Sequence, residues 1–561
     1  MIADPGIPPA AALIVGGLVL PLLTEKQRQF ALLILPLAAL YLVWRTPDGP
    51  ALTASFLGYD LTLVRGDALS RLFATIFAIM AFAGGLFALN QNRVVELAAA
   101  YCYAGAAIGV AFAGDLLTLF MFWELMAIAS TLVVWSGGLA ARAAGLRYVS
   151  IHFLGGVLLM AGIAGGITAT GSLAFDKMTL DSAPRWLILA GFLINAGAPP
   201  LSAWLPDAYP ESSWSGMVFL SAFTTKGAVY ALLRGFPGTE LLIYVGLFMV
   251  FYGIIYAILE NDMRRILAYS IVNQVGFMVT GIGIGTELAL NGAAAHAFAH
   301  IIYKALLLTS AGSVLFMTGK RKCTDLGGLI RTMPVTAICG IVGALSISSF
   351  PLTSGFVTKS MISAAAGHQH LEWVWYLLAA ASAGVFLHAG IKFSWFVFFQ
   401  KDSGLRPDDP PWNMRAAMVL FAVLCIAIGV APGPLYAILP FPVDYEPYTA
   451  GHVVFYLQLL LFSGLAFFLM LGWLKRTLTI TLDVDWFCRR LGPAAARRLD
   501  QIADAGWDAL VSGVDRGARA IATGVHRLHG PGGILARPWP TGSTAFWATI
   551  MLALYSILSY L

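Results

Sequence analysis

Runs of about twenty apolar residues, the length that crosses a bilayer as a helix, follow one another along almost the whole chain. About sixteen such runs can be read, joined by short polar loops. They predict an all-α polytopic membrane protein with closely crowded spans. Two runs carry Pro-Leu-Ser/Thr inside the apolar stretch: Pro199-Pro200-Leu201-Ser202 in the seventh span and Pro351-Leu352-Thr353-Ser354 in the twelfth. Proline removes a backbone donor and breaks a helix. Broken backbone at membrane depth is tolerated only where it is buried in protein or lines a wet cavity. Breaks at Pro199, Pro200 and Pro351, an odd number of spans apart, point to inverted repeats with a site at each break; two ordinary proline kinks would give the same pattern. After the fifteenth span the pattern changes. Residues 484–530 are charged and amphipathic, with Leu499, Ile502, Leu510, Val514, Ile521, Val525 and Leu528 at helical spacing. Gly506, Gly513, Gly517 and Gly524 make a second stripe, the kind that lets another helix approach closely. The stretch reads as a lateral helix along the cytoplasmic surface, acting as a brace or as a surface-bound linker. A last apolar run ends the chain.

Composition sharpens this reading. The chain is 59% hydrophobic and 11% charged, where a soluble domain carries roughly 25% charged residues. The cysteines Cys102, Cys323, Cys339, Cys425 and Cys488 form no CxxC pair and none lies near a histidine at zinc-ligand spacing. No metal, no cofactor and no disulfide framework is therefore expected. A net charge of +5 is too small and too spread out to suggest nucleic acid. The start, MIADPGIPPA, lacks the basic opening of a signal peptide, so the first span is expected to be kept. Loop charges set the orientation. One side collects Lys26, Arg28, Arg93, Arg142, Arg147, Arg264, Arg265, Lys320, Arg321, Lys322, Arg331, Lys401, Arg406, Arg415, Lys475 and Arg476. The other holds Arg45, Arg65, Arg71, Lys177, Arg185 and Arg234. The first side is expected to be cytoplasmic, in the inner membrane of the cell, with both termini outward.

The exceptions to the apolar pattern carry the chemistry. Glu124 stands alone in the fifth span, and Lys226, Lys304, Lys359 and Lys392 stand in the eighth, eleventh, twelfth and thirteenth. Intramembrane charges are costly and mark ion paths or paired partners. Lysine suits a relay because a desolvated ammonium gives up its proton, whereas arginine keeps its own. His296, His300 and Lys304 recur at i, i+4 and i+8, on one helix face. Histidine titrates near neutral pH and passes protons on. The HxxxH pair has no intervening glutamate and no evident third ligand, so a metal site is disfavoured. Lys392 is a candidate for the same ion pathway, or, lying close to the loop at Lys401, snorkels to the interface instead. His152, early in the sixth span, reads first as a packing histidine.

Several segments now resemble one family. FMFWELMAIAS, WLPDAYPESSWSGMVFLSAFTTKGAVYALLR, ENDMRRILAYSIVNQVGFM and HAFAHIIYKALLL look like the antiporter-like membrane subunits shared by Mrp multisubunit Na+/H+ antiporters, respiratory complex I and membrane-bound hydrogenases. The resemblance runs over roughly residues 70–400, and DAYPE and LSAFTTK look closest to the D-type subunit of Mrp antiporters. It implies a core of about fourteen helices with two inverted five-helix repeats. It also implies a proton or ion pathway through Glu124, Lys226, His296, His300, Lys304 and Lys359. One family station is missing. The seventh-span lysine, nine residues before the tryptophan of WLPD, falls here on Asn195. Asparagine holds no proton in transit, so Asn195 reads as a degenerate station. Either Glu124 pairs with Lys226 instead, or the first half is a passive water path.

The expected organisation is N-terminal spans (1–94), a first half-channel (95–235), a second (236–400), additional spans (401–483), a lateral helix and linker (484–541) and a C-terminal span (542–561). The leading function is an ion-translocating subunit of an Mrp-type antiporter, with other membrane subunits and the bilayer as partners and protons and Na+ as the transported ions. One rival is the pump arm of a redox-driven complex of hydrogenase or NADH:quinone type. Another is a scaffold subunit that no longer conducts.

Overall fold

The structure, a computed structural model, describes residues 7–56, 58–473, 486 and 490–561. The start of the chain, Lys475, Arg476, Cys488 and the beginning of the amphipathic stretch at 484 therefore lie outside the described residues. The chain divides into two units, Met1–Asp485 and Trp486–Leu561.

In the first unit the helices are α1 (Pro9–Val19), α2 (Glu25–Arg45), α3 (Ala68–Phe87), α4 (Val94–Phe112), α5 (Leu116–Trp135), α6 (Leu139–Thr170), α7 (Ala183–Ala196), α8 (Trp204–Ala208), α9 (Gly216–Leu220), α10 (Thr224–Gly235) and α11 (Leu241–Leu259). They continue with α12 (Met263–Ile284), α13 (Glu287–Thr318), α14 (Pro334–Ile347), α15 (Ser354–His368), α16 (Glu372–Val385), α17 (Trp412–Val430), α18 (Gly433–Tyr436) and α19 (Ala450–Leu469). Over the described residues of both units, 13 helices are long and apolar enough to cross a membrane. The chain is thus a multi-pass, predominantly helical membrane protein. Its apolar pattern leaves one element unannounced: an antiparallel hairpin of β1 (Gly49–Phe56) and β2 (Tyr59–Gly66). Leu61 and Val64 of β2 are buried, and Asp115 ties the hairpin to α5 by accepting from the Thr62 amide at 2.7 Å.

Local chemistry sets the helix ends. Asp115 also caps α5, accepting from the Thr118 amide at 2.7 Å. Asp262 caps α12 through the Arg264 amide at 2.8 Å. Each satisfies a free amide of the first turn. α7 and α14 are each 14 residues long, about 21 Å at 1.5 Å per residue, which is short of a hydrocarbon core of roughly 30 Å. α7 gives way at Gly197 (φ 79°) to the segment holding Pro199 and Pro200, and the chain becomes helical again at Trp204. α14 gives way before Pro351, with Ser349 (φ 62°) and Leu352 (φ 67°) in left-handed conformations that cost non-glycine residues strain. A further break, at residues 221–223, separates α9 from α10 inside one apolar stretch and has no proline. α16 widens into π-helical turns over Phe386–Lys392 and Trp395–Phe399, a local geometry that often accompanies function.

Ion pairs lock the loop ends of the spans. Arg147 grips Asp207 through both carboxylate oxygens, at 2.7 and 3.0 Å. Arg321 bridges Asp262 at 2.8 Å and Glu211 at 2.9 Å. Buried Arg264 donates to the carbonyls of Pro210, Ser212 and Ser213 at 2.7–2.8 Å.

The second unit contains α20 (Gly492–His529), 38 residues and about 57 Å long, and α21 (Thr541–Tyr560). α20 carries its leucines, isoleucines and valines exposed, and Gly506, Gly513, Gly517 and Gly524 face open space.

Candidate functional site

The breaks matter because of what reaches them. A helix ends with carbonyls that have no partner inside the helix and that carry partial negative charge. Lys226, in the first turn of α10, donates to the Ser221 carbonyl at the end of α9 at 2.8 Å and to Thr225 Oγ1 at 3.1 Å. Lys359, on α15, reaches back across the Pro351 break to the carbonyl of Ile347, the last residue of α14, at 2.7 Å. Its ammonium also lies 4.8 Å from the centre of the Phe277 ring. Lys392 donates to the carbonyls of Ala257, Ile258 and Glu260 at 3.2, 2.5 and 2.5 Å, where α11 ends. Three lysines are therefore seated alike, on the carbonyl end of a helix. Their partners are neutral oxygens. Such a lysine can lose its proton without stranding a bare carboxylate.

This seating bears on two alternatives that the sequence left open. Lys226 does not pair with Glu124, because its protons go to the end of α9 while Glu124 turns toward α6. Lys392 does not snorkel: it is nearly buried and occupied by the end of α11.

Between these lysines runs a buried polar line on α12, α13 and α15. His296, His300 and Lys304 are fully buried on α13. His296 Nδ1 bonds Thr358 Oγ1 at 3.0 Å, and its Nε2 lies 3.2 Å from Gln274 Oε1. The Tyr303 hydroxyl donates to the same Gln274 oxygen at 2.9 Å. Lys304 donates to the Ser270 hydroxyl. The His300 ring packs edge-on to Tyr303 with centroids 5.2 Å apart, and neither of its nitrogens has a protein partner. Lys226, His296, His300, Lys304 and Lys359 lie within reach of one another's charge. A proton arriving on one therefore repels a proton on the next.

Glu124 sits apart from this line. It is half-buried on α5, with exposed Met121 and Ile128 on the same side of the helix. Its Oε1 is buried, has no hydrogen-bond partner, and rests against α6 at Gly156, where an added methyl carbon would lie only 2.0 Å from it. Asn195, in the last turn of α7, is buried and bonded through Oδ1 to His152 Nδ1 at 2.7 Å.

Several polar groups were not singled out from the sequence. Ser270, Gln274, Tyr303 and Thr358 bond to His296, Lys304 or one another along the buried polar line. The signal for the first two was present as polar residues inside the apolar SIVNQVGFM stretch. His388, in the π-helical turn before Lys392, is fully buried with both nitrogens unpartnered. Glu96 is fully buried in the first turn of α4, and its Oε1 accepts from Ser213 at 2.5 Å and Ser215 at 2.6 Å.

Known proteins match this architecture. A family described as NADH:quinone oxidoreductase/Mrp antiporter, TM, matches residues 113–387, which hold Glu124 and the buried residues from Lys226 to Lys359. The D-type subunit of the Na(+)/H(+) antiporter of Alkalihalophilus pseudofirmus is 30% identical over 401 residues, covering 65% of this chain and 80% of that protein. Among solved structures, the Mrp complex from Dietzia sp. DQ12-45-1b superposes with a TM-score of 0.76 at 22% identity, over 92% of this chain and 62% of the other. The membrane-bound sulfane sulfur reductase, an archaeal respiratory membrane complex, gives 0.72 at 24% identity over 99% of this chain and 100% of the other. With its broken helices, its buried lysines and a D-type antiporter relative matched over four fifths of its length, the chain belongs to the NADH:quinone oxidoreductase/Mrp antiporter membrane family.

Proposed function

We propose that the chain is the D-type ion-translocating subunit of a multisubunit Na+/H+ antiporter of the cytoplasmic membrane. One observation carries the reading: Lys226, His296, His300, Lys304 and Lys359 are all fully buried, with Lys226, His296, Lys304 and Lys359 held by neutral oxygens and both His300 nitrogens without a protein partner. Groups in that state exchange protons with their neighbours without first breaking an ion pair. The path runs from Lys226 through His300 and Lys304 to Lys359. Residues 95–235 and 236–400 act as two inverted halves, each with a broken helix, within a chain of about sixteen crossings with both termini outward. Glu124 supports a subunit role. A half-buried carboxylate at membrane depth is expensive against lipid, and a neighbouring membrane subunit covering Met121 and Ile128 removes that cost. α20 serves as a lateral brace to the same assembly.

The test uses inverted membrane vesicles at equal expression. Glu124→Ala and Lys304→Ala each lower Na+-driven proton movement on the order of a hundredfold. Lys304→Arg fails equally, because arginine keeps the charge and cannot release the proton. Near-normal transport by the arginine variant would reduce Lys304 to a fixed charge. Near-normal transport by all three would leave the scaffold reading standing.

A further inference from the structure

The α5–α6–α7 contact holds a titratable pair of its own. His152, on α6, is buried to 1% exposure, and so is Asn195 opposite it. The carbonyl oxygen Asn195 Oδ1 can only accept, so at 2.7 Å it takes the proton of His152 Nδ1. That fixes the tautomer of the neutral ring and leaves Nε2 as the free base. Nε2 is buried and has no protein partner. The ring itself cannot swing away. It packs against Tyr148 and Trp204 with centroids 4.1 and 4.6 Å apart, and the Trp204 indole is anchored on the Ile194 carbonyl at 3.0 Å.

One turn further along α6 the helix carries two glycines. Gly155 faces Asn195 Oδ1, with an added methyl carbon 3.5 Å from it, and Gly156 faces Glu124 Oε1. Residues three and four apart share a helix face. The α6 face that carries His152 therefore lies between the Glu124 carboxyl of α5 and the Asn195 amide of α7. A carboxyl oxygen and an imidazole nitrogen, each buried and each without a partner, border the same face of one helix.

We propose that His152 is a proton station coupled to Glu124 and that Asn195 is its positioning residue; this deepens the antiporter reading and rests on it. In the step, the O–H bond of the Glu124 acid breaks and an N–H bond forms at His152 Nε2, directly or through water. Carboxylate and imidazolium result, and Nδ1–H stays on Asn195 throughout. The proton leaves again from Nε2. The other titratable and charged groups around the ring are Tyr148 on α6, Tyr209 behind Trp204, and the Arg147–Asp207 pair toward the loop, whose charges neutralise each other.

The experiment uses the assembled complex in inverted vesicles, with assembly read on native gels. His152→Phe keeps the aromatic packing and removes the base, and lowers Na+-driven proton movement at least about tenfold. Asn195→Ala, which frees the tautomer, costs about tenfold. Asn195→Asp places a carboxylate on Nδ1–H, favours the imidazolium, and moves the pH profile to more alkaline values. In the wild-type complex, deuterium exchange at the histidine C2 carbon, read by mass spectrometry across pH, shows His152 titrating. The proposal falls if His152→Phe and Asn195→Ala transport within about twofold of wild type with an unmoved profile for Asn195→Asp. It falls equally, even where the variants do not assemble, if His152 shows no titration in the wild-type complex. Lys304→Ala separates the levels: a dead Lys304 variant beside active His152 and Asn195 variants removes the station and leaves the antiporter reading intact. A wild-type complex that moves no protons removes that reading, and the exchange titration still decides His152.

Discussion

At the residue scale, the lysines are governed by what they touch. Lys392 serves the end of α11, and three carbonyls match the three protons of an ammonium. Hydrogen bonds to charged groups are worth about 1.5–3 kcal/mol each. Lys392→Ala is therefore expected to destabilise the protein by at least about 1.5 kcal/mol and to lower its thermal unfolding midpoint, with Lys401→Ala on the nearby loop as the neutral comparison. Equal midpoints for the two variants would show that the carbonyl seat does not hold α11. From sequence alone Lys392 looked free to reach the interface, because carbonyl acceptors belong to every residue and leave no mark in the pattern. Asn195 is the parallel case. It reads as a lost station by itself, and only its bond to His152, far away in sequence, gives it a partner.

At the element scale, helix approach decides which groups meet. Gly156 is where α6 admits the Glu124 carboxyl, and a methyl carbon there would lie 2.0 Å from Oε1. Gly156→Ala is expected to displace the carboxyl and lower transport. Gly166→Ala, on the same helix with nothing within 4 Å, is expected to be harmless. Glycine-to-alanine changes inside helices otherwise stabilise by up to about 1 kcal/mol. A transport defect confined to Gly156→Ala therefore reads the contact rather than helix propensity; equal transport in both variants would place Glu124 elsewhere. α20 calls for the opposite design. Its Gly513 and Gly517 face open space, so changing both to leucine leaves that helix intact. If the stripe receives a neighbouring helix, the double variant loosens the complex on native gels. Unchanged mobility would assign the stripe to lipid or water.

For the whole molecule, the antiporter and redox-driven readings differ in the chains that accompany this one. Purification in mild detergent is expected to bring further membrane subunits with this one and no iron–sulfur or flavin proteins. Finding such redox proteins in stoichiometric amount would replace the antiporter by a redox-driven complex, with the same buried path serving as its pump arm.

A multi-pass helical membrane protein is legible in the residues alone, because apolar runs of about twenty residues find no other stable solvent than a bilayer. The sequence also marked the intramembrane charges, since each is an expensive exception to its surroundings, and the segments around Pro199, Pro200 and Pro351, where a missing amide weakens the helix. Which group serves which is a matter of packing. The tertiary structure seats Lys226, Lys359 and Lys392 on helix-end carbonyls, breaks α9 from α10 without a proline, pairs Gly49–Phe56 with Tyr59–Gly66, and closes Glu124 onto Gly156 and Asn195 onto His152. These are contacts between backbone groups or between side chains distant in sequence. Their energies depend on helix approach within a packed bundle, and no local pattern of residues records it.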